Sequence, residues 1–525
     1  MPGKVKARKP KTSSAGTTAS PRPGASAHPG ASAHPAAPAD PTAAVDSIVI
    51  RMYNTGSVGD CFLILFQKKG VTSFKMMIDC GGIKTTAALV TPCVEDIAKT
   101  CEGEIDLMLV THQHEDHLSG FNLARPVFDT LTVKETWMSW VEDPSDTMGQ
   151  LVKTKYGKKL KELKATVASH LAGRHDLSSP DTNHGARQRF IRQNLAESMQ
   201  LLEFEAGNEH GKGLAAGART NDDAMNYCKS KGKKLVYRKP GEVLGIPNAE
   251  GIRFYVLGPP RDPDLKFLKI EMDPDEMYHL ALTAAASTDA PPSGQLLSEV
   301  GSLLMDNQSP FAPEFRLRGT ELTAFQKYYG AADMKWRQIE EDWKESASDM
   351  ALALTRLTNN TSLAIALEFV HSGVVVLLPA DAQSGNWMSW HKPEVIAEFK
   401  KQGGKETKEL LKNTVFYKVG HHSSHNGTAS LSGLELMTNN SLVAFIPLVQ
   451  DKVPAAWGGS KNFPGAKLYP KIMAAAKGRV VRTDEGIITD TTAAALRKQL
   501  TAADQMDFKN KYRTGDCYFE YTITG

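Results

Sequence analysis

The chain has 525 residues, of which 41% are hydrophobic and 23% are charged, and its formal net charge is +3. These values are ordinary for a globular protein and exclude a chain that is disordered throughout. Because the charge is nearly balanced, it does not by itself indicate a nucleic-acid-binding protein. No apolar run reaches about 18 residues, so the sequence predicts no membrane-spanning helix and no role at a membrane.

The cysteines and the N-terminus predict the cellular location. The chain has six cysteines, and none of them forms a CxxC pair. Cysteines this sparse favour reduced thiols over a disulfide framework. The N-terminus is basic, but it has no apolar stretch of the kind that secretory signals contain. We therefore expect a cytoplasmic protein.

Residues 1–45 consist mainly of Pro, Ala, Ser, Gly and Thr, with almost no large apolar side chain. Such a segment cannot bury enough surface to offset the entropy that it loses on ordering, so we expect a disordered tail. Five of its first eleven residues are Lys or Arg. These residues belong to a solvated tail or, alternatively, bind an anionic polymer weakly by electrostatic attraction.

Residues 46–525 are predicted to form one folded domain, which begins with the order strand, strand, strand, helix, strand. Apolar runs indicate the strands, and helical spacing of apolar residues indicates the helix. The segments are SIVIRMYN (47–54), GDCFLILFQKKG (59–70), SFKMMIDCGG (73–82), TTAALVTPCVEDIAKTC (85–101) and IDLMLV (105–110). This order, with polar residues at the strand ends, suggests an α/β (α+β) protein with stacked sheets and helices outside them.

Residues 141–355 are predicted to be largely a helical insertion, broken by one or two strands of the core. Apolar residues recur at helical spacing in the lysine-rich segment 147–173, in segment 186–207 and in segment 323–354. Segment 250–263 has the pattern of a strand. The lysines of segment 147–173 can meet a phosphate backbone, or they form a solvated helix face.

The strand pattern returns after Leu354. Segment 359–382 contains two apolar strands joined by an HSG turn, and segment 414–427 is a strand that ends in the sequence GHHSSHNG. Further strands are predicted within segments 441–450, 479–486 and 515–524.

Metal-binding residue types stand at four predicted strand ends, which are Asp79, residues 112–117, Asp381 and the pair His421 and His422. The loops of neighbouring strands often meet at one edge of a sheet, so we expect these side chains to converge. Asp60 follows a glycine at the start of a strand. It can line the same site, or it can cap a turn.

The sequence THQHEDHLSG (111–120) has the spacing of a site for two ions. Alternate positions let His112 and His114 face one ion, and Asp116 and His117 can then reach a second. Imidazole and carboxylate ligands suit zinc, and also manganese or iron. We therefore expect two divalent metal ions, with zinc preferred.

This sequence resembles the HxHxDH signature of the metallo-β-lactamase superfamily, whose fold is a four-layer αββα sandwich with a two-metal site. The other motifs follow in the family's order. MMIDCGG resembles the strand whose aspartate, here Asp79, supports the site, and VVVLLPADA resembles the strand that ends in the bridging aspartate, here Asp381. FYKVGHHSSHNG resembles the last strand, where we favour His422 over His421. The resemblance implies that the metal ligands are His112, His114, Asp116, His117, Asp381 and His422.

Residues 45–122 and 355–490 carry the resemblance. VGDCFLI, NNTSLAIALEF and KVGHHSS are most similar to the hydrolase domain of competence (DNA-uptake) channel proteins. Cys61 and Ser423 differ from that branch, which has Gly-Asp-Ser and His-His-Gly-Ser there, but neither is a usual ligand position. The superfamily has another histidine for the first ion, which we do not assign. Its candidates are His170, His175, His184, His210 and His279.

The resemblance implies a hydrolase that attacks its substrate with a metal-bound hydroxide. True β-lactamases of this fold commonly have cysteine at the position of Asp381, so the sequence favours a phosphodiesterase or nuclease with a phosphate-containing substrate such as nucleic acid. We assign Asp116 and Asp79 to the catalytic site. His425 lies beside the last motif, where it can contact the substrate or protonate a leaving group, or form only an outer hydrogen bond.

Two other functions stay open. One is a lactonase or another ester hydrolase of the same fold. The other is a non-catalytic scaffold, in which the helical insertion binds protein partners.

Overall fold

The computed structural model describes residues 43–172, 182–206, 220–263, 265–269, 276, 351, 354–355 and 357–525. These residues belong to one compact unit. The tail that was predicted to be disordered lies almost entirely outside them, as does most of the helix predicted at 323–354.

Eight strands form the first sheet, namely β1 (Ser47–Tyr53), β2 (Cys61–Lys68), β3 (Val71–Cys80), β4 (Glu104–Leu109), β5 (Thr132–Ser139), β6 (Gly232–Arg238), β15 (Tyr512–Thr514) and β16 (Tyr518–Thr524). Their order across the sheet is β15-β16-β1-β2-β3-β4-β5-β6. The pairs from β15 to β3 are antiparallel, and the pairs from β3 to β6 are parallel.

Eight strands also form the second sheet, namely β7 (Val243–Gly245), β8 (Ile252–Val256), β9 (Ile365–Phe369), β10 (Val375–Leu378), β11 (Thr414–Lys418), β12 (Val443–Ile446), β13 (Val480–Arg482) and β14 (Gly486–Ile487). The pairs from β7 to β10 are antiparallel, the pairs from β10 to β13 are parallel, and β14 is antiparallel to β13. Both sheets therefore change from antiparallel to parallel pairing, at β3 in one and at β10 in the other.

The helices are α1 (Ala87–Thr100), α2 (Glu115–Leu123), α3 (Arg125–Thr130), α4 (Thr147–Ala172), α5 (Thr182–Ala206), α6 (Asn221–Lys231), α7 (Lys266–Lys269), α8 (Ser384–Ser389), α9 (Pro393–Lys401), α10 (Thr407–Lys412), α11 (Leu468–Ala475), α12 (Thr491–Arg497) and α13 (Ala502–Lys511). Among the helices in the part of the chain that the structure describes, none has the length and apolar character needed to cross a bilayer.

Strand β2 illustrates how the sequence builds the core. Because successive side chains of a strand point to opposite faces, its apolar residues divide into two sets. Phe62, Ile64 and Phe66 join a buried cluster that contains residues of both sheets. Leu63 and Leu65, on the other face, pack with apolar residues of α1, α2 and α6. The second sheet buries its outer face in the same way, against α8, α9, α10 and α11.

The α+β class predicted from the sequence is confirmed by the two mixed sheets and their helices. The predicted order of three strands, a helix and a strand is also observed, as β1, β2, β3, α1 and β4. Within residues 141–355 the structure has helices α4 to α7 and three sheet strands, β6, β7 and β8, where one or two strands were expected. Helices α4 and α5 share a small apolar cluster of their own.

Candidate metal centre

Four loops bring acidic and histidine side chains together at the ends of the sheets. Asp79 lies near the end of β3, and residues 110–117 lead from β4 into α2. Asp381 follows β10, and the turn Gly420–Ser423 follows β11. Strands β3 and β4 are parallel neighbours, as are β10 and β11, so their C-terminal ends deliver these loops to a shared edge.

The backbone of these loops adopts conformations that few residues tolerate. Asp79 and Ala380 have φ angles of 51° and 54°. Three successive residues of the last turn, His421, His422 and Ser423, have φ angles of 45°, 50° and 65°. Positive φ is uncommon for residues other than glycine, and strained residues tend to cluster at functional sites. From this turn the ring of His422 extends toward Asp116 and Asp381.

Two glycines fix the peptide group of Asp116. A Cβ atom on Gly81 would lie 2.4 Å from the carbonyl carbon of Asp116, and one on Gly59 would lie 2.6 Å from the carbonyl oxygen. The backbone N–H of Asp60 donates a hydrogen bond of 3.0 Å to the same oxygen. Because no side chain fits in these spaces, glycine is required for the three segments to approach this closely.

Asp79 orients His117. Its Oδ2 atom lies 2.7 Å from Nδ1 of His117 and 2.6 Å from Oγ1 of Thr111, and its Oδ1 accepts a 2.9 Å hydrogen bond from the Thr111 backbone. An ionised carboxylate only accepts hydrogen bonds, so Nδ1 of His117 carries a proton and its Nε2 presents a lone pair. Asp79 therefore acts on the site by positioning a histidine.

His422 is oriented by the backbone. Its Nδ1 donates a 2.8 Å hydrogen bond to the carbonyl oxygen of Pro447, which leaves Nε2 to face two carboxylates. That Nε2 atom lies 2.8 Å from Oδ2 of Asp116 and 3.4 Å from Oδ2 of Asp381. The histidine that the sequence analysis favoured for this motif thus directs Nε2 at the acidic cluster, where it binds a proton or could bind a metal ion.

Asp381 lies between two histidines and a buried lysine. Its Oδ2 is 3.1 Å from Nε2 of His117 and 3.4 Å from Nε2 of His422. Its Oδ1 is 3.2 Å from Nζ of Lys418, and the same Nζ lies 2.6 Å from Oδ2 of Asp60. Both side chains of the Lys418–Asp60 pair are 2% exposed, so the ion pair is almost completely removed from water.

Asp60, His117, Asp381 and His422 each offer a ligand atom within 4.8 Å of the others, so this group can hold a metal ion. Asp60 faces the Nδ1 atoms of the two histidines, at 3.8 Å and 3.7 Å. Both Nδ1 atoms already have closer hydrogen-bond partners. The Nε2 atoms instead face Asp116 and Asp381. Asp116 is therefore better placed than Asp60 to bind the same ion as the two histidines and Asp381.

Four buried polar atoms of this cluster have no hydrogen-bond partner among the described residues, namely Oδ1 of Asp60, Oδ1 of Asp116, Nε2 of His117 and Oδ2 of Asp381. Buried polar groups are almost always hydrogen-bonded, so four exceptions in one cluster need a physical cause. A divalent cation between the side chains of Asp116, His117 and Asp381 would give their three atoms a partner at once. Mixed imidazole and carboxylate ligands suit zinc, manganese or iron, so the residues fit the predicted metal.

The carboxylates also change the pKa of the two histidines. Burial lowers the pKa of His422, but Asp381 and Asp116 together raise it to about 10. Burial also disfavours a charge on His117, yet Asp381, Asp116 and Asp60 hold its pKa well above the ordinary value. The cluster therefore attracts positive charge, and a proton and a metal ion compete for the same nitrogen atoms.

His112 and His114 form the other half of the site. Nε2 of His112 lies 2.9 Å from Nδ1 of His114. The hydroxyl of Thr111 has one proton and donates it to Asp79, so at 3.0 Å it accepts a hydrogen bond from Nδ1 of His112. The Nε2 lone pair of His112 therefore points toward His114. Burial, and then the charge of His117, lower the pKa of His112 well below its ordinary value.

Seven of the site residues proposed from the sequence meet in one buried cluster, namely Asp79, His112, His114, Asp116, His117, Asp381 and His422. His425 differs from them because its side chain is exposed. Its contact with a substrate stays a prediction. His421 faces away from the carboxylates, with Nε2 3.1 Å from Nδ2 of Asn359 and Nδ1 2.6 Å from Oγ of Ser424.

The candidates for a further histidine ligand are only partly described. His170 has Nδ1 2.8 Å from the carbonyl oxygen of Thr166, one turn earlier in α4. The backbone of His184 lies in α5, and its side chain is outside the described part. The remaining candidates, His175, His210 and His279, lie wholly outside the described residues.

Two residues that contact the cluster were missed by the sequence analysis. Glu205, near the end of α5, has Oε2 2.7 Å from Nε2 of His114. Lys418 ends β11 and pairs with two aspartates of the site. The sequence did contain a signal for Lys418, because this lysine interrupts an apolar strand directly before a histidine motif. A lysine buried in this way requires a buried acidic partner. Nothing in the sequence distinguishes Glu205 from Glu203 two positions earlier.

Comparison with known proteins gives no family name for this chain. No protein-family model matches the sequence, and no curated protein matches it either. Any functional assignment therefore rests on the motifs and on the geometry of the cluster.

Proposed function

We propose that this chain is a metal-dependent hydrolase of the metallo-β-lactamase superfamily, with the four-layer αββα fold of that family. The distribution of the core supports the fold, because one apolar cluster contains residues of both sheets and two others join each sheet to helices. The order of the motifs along the chain supports it too. Asp79 and Asp381 lie at β3 and β10, the two strands at which the sheets change from antiparallel to parallel pairing.

The orientation of the histidines carries the proposal. Nδ1 hydrogen bonds of His112, His117 and His422 leave the three Nε2 atoms available, toward His114 in one half and toward the carboxylates in the other. We assign one ion to Asp116, His117, Asp381 and His422, and the other to His112 and His114. Two divalent ions, when bound, lower the pKa of a water molecule and polarise a phosphoryl or carbonyl oxygen. The protein holds the ligands in place and excludes bulk water.

We propose a phosphodiester, with nucleic acid as one such substrate, for two reasons. Position 381 has the aspartate of the phosphodiesterase and nuclease branches, whereas β-lactamases of the resembled family commonly have cysteine. In addition, Lys155, Lys158 and Lys161 are exposed on α4, where they can attract a phosphate backbone. The sparse cysteines favour a cytoplasmic location, and the insertion offers a surface for protein partners.

The test combines metal content with turnover. We expect purified protein to contain about two metal ions per chain and to hydrolyse bis-p-nitrophenyl phosphate. The double variant Asp116→Ala, His117→Ala should lose metal and turnover together, because it removes two ligands and keeps the strands. The control is His371→Ala, which changes an exposed histidine in the turn between β9 and β10 and should keep both properties.

Other outcomes separate the alternatives. Bound metal without phosphodiester turnover, but with hydrolysis in a lactone or ester panel, would favour the second hydrolase class. Absence of metal in the wild type, even after reconstitution with zinc or manganese, would contradict an enzyme of this kind. It would leave the non-catalytic scaffold.

A further inference from the structure

We propose that helix α5 of the insertion completes the half of the site formed by His112 and His114. In this proposal Glu205 is a positioning residue that holds His114 in the form and orientation that binds metal. The inference rests on the proposed metal-dependent function. It goes beyond it by making one of the two ion sites dependent on a helix outside the motifs.

The contact between Glu205 and His114 is short and is buried away from solvent. Oε2 of Glu205 lies 2.7 Å from Nε2 of His114, and the side chains are 2% and 1% exposed. The ring of Phe204, the preceding residue in α5, lies 4.6 Å from the ring of His114 and covers it. A buried carboxylate this close to an imidazole nitrogen accepts its proton in a strong hydrogen bond.

That hydrogen bond fixes which nitrogen of His114 can bind an ion. With a proton on Nε2 for Glu205, the lone pair of His114 is on Nδ1. Nδ1 lies 2.9 Å from Nε2 of His112, which also presents a lone pair because its Nδ1 donates to Thr111. In this tautomer the two nitrogen atoms are close enough for one ion, placed beside them, to bind both. Glu205 therefore creates one of the two ligand atoms of this half.

Glu205 is itself held in place from several directions. The hydroxyl of Thr358 donates a hydrogen bond to Oε1, the carboxylate oxygen that does not contact His114. At the end of α5, Nδ2 of Asn221 donates to the carbonyl oxygens of Phe204 and Glu205, at 3.0 Å and 3.3 Å. Both carboxylate oxygens have partners, so the geometry suits a group that orients a ligand. Partners of this kind typically change metal affinity by about 10–100-fold.

The experiment measures metal binding by the full chain rather than turnover. Cobalt-loaded and zinc-loaded proteins are titrated with a competing chelator, and the visible absorption of cobalt reports the ligand geometry. In Glu205→Ala we expect one ion to bind about 10–100-fold more weakly, with a changed cobalt spectrum, while the other ion keeps its affinity. In Glu205→Gln we expect a smaller loss, because the amide oxygen still accepts from His114 while its charge is gone.

The control is Glu197→Gln on the same helix, where the glutamate accepts a 2.9 Å hydrogen bond from the exposed side chain of Gln193. It should bind both ions like the wild type. If Glu205→Ala does not fold, the nearly isosteric Glu205→Gln decides the matter by its cobalt spectrum. Wild-type affinity and spectrum for both ions in the Glu205 variants would overturn the inference while the proposed function stands. A wild type that binds no metal would overturn both.

Discussion

The two halves of the histidine cluster use the same residue type in different electrostatic surroundings. His117 and His422 lie among carboxylates, which raise the pKa of His422 to about 10 despite its burial. His112 is equally buried, but burial dominates there and its pKa lies well below the ordinary value. The comparison shows that His117 and His422 favour positive charge, whereas His112 in the other half favours the neutral form. The experiments that follow disturb the acidic half, both halves together, or the protonation of His422.

The largest effect on stability is expected at Lys418. Lys418→Met removes the cation that pairs with Asp60 and Asp381 in the acidic half, at 2.6 Å and 3.2 Å. Breaking one partner of a buried ion pair costs about 3–5 kcal/mol of unfolding free energy, since unpaired charges stay buried. Urea unfolding of metal-free protein measures the loss, and added zinc should restore part of it.

Lys134→Met is the matched control for Lys418→Met. Lys134 also pairs with two carboxylates, Glu104 and Asp106, but its side chain is 44% exposed. Surface pairs of this kind contribute about 0–1 kcal/mol. Equal losses in the two variants would show that the buried lysine has no special part in balancing the acidic half.

A second variant affects both halves at once. Asp79 holds Nδ1 of His117 directly and holds Nδ1 of His112 through Thr111. In Asp79→Asn one of the two oxygen acceptors becomes a donor, so we expect both ions to bind about 10–100-fold more weakly. Chelator titration should therefore separate this variant from Glu205→Ala, in which one ion is affected. Asp129→Asn, which changes an exposed acceptor of Tyr227, is the control.

A separate effect, which needs no substitution, is a dependence of stability on pH in the metal-free protein. The pKa of His422 is about 10 in the fold and about 6.5 in the unfolded chain. The folded state therefore binds more protons between these values, so stability is full below about pH 6.5 and falls as pH rises toward 10. Urea midpoints at several pH values measure this slope. His422→Ala should flatten it, and zinc should do so by replacing the proton. A slope of the opposite sign would contradict the assigned surroundings of His422.

The strand ends that carry the site could be predicted because each follows a strongly apolar run. An apolar run such as IDLML in β4 is most easily buried as a strand in the core. The polar residues that follow it then lie at the edge of the sheet. The same reasoning failed at β6, where Lys233 and Lys234 are exposed and the alternation is weak. Helix α6 was also missed, although Thr220 and Asp223 form a capping box at its start.

Long-range contacts were the part of the site that sequence reasoning could not supply. Glu205 is 91 positions from His114 in the sequence, and other glutamates of its helix have similar neighbours along the chain. What makes Glu205 functional is where the end of α5 packs, which depends on Asn221 and Thr358. Similarly, Asp60 could be read from the sequence as a lining residue or a turn cap. Its pairing with Lys418 follows only when both sheets are in place.

The close packing of Gly59 and Gly81 against the peptide group of Asp116 limits which substitutions these two positions can accept. Gly59 and Gly81 have no side chain, yet any side chain at either position would displace the peptide group of Asp116, a proposed metal ligand. In a library of all single substitutions selected for metal binding, these two positions should accept as little variation as the histidines themselves. Alanine at Gly70, whose Cβ would meet no atom within 4 Å, has room even though φ is 79° there. The site thus restricts substitution at positions that would not contact the metal themselves.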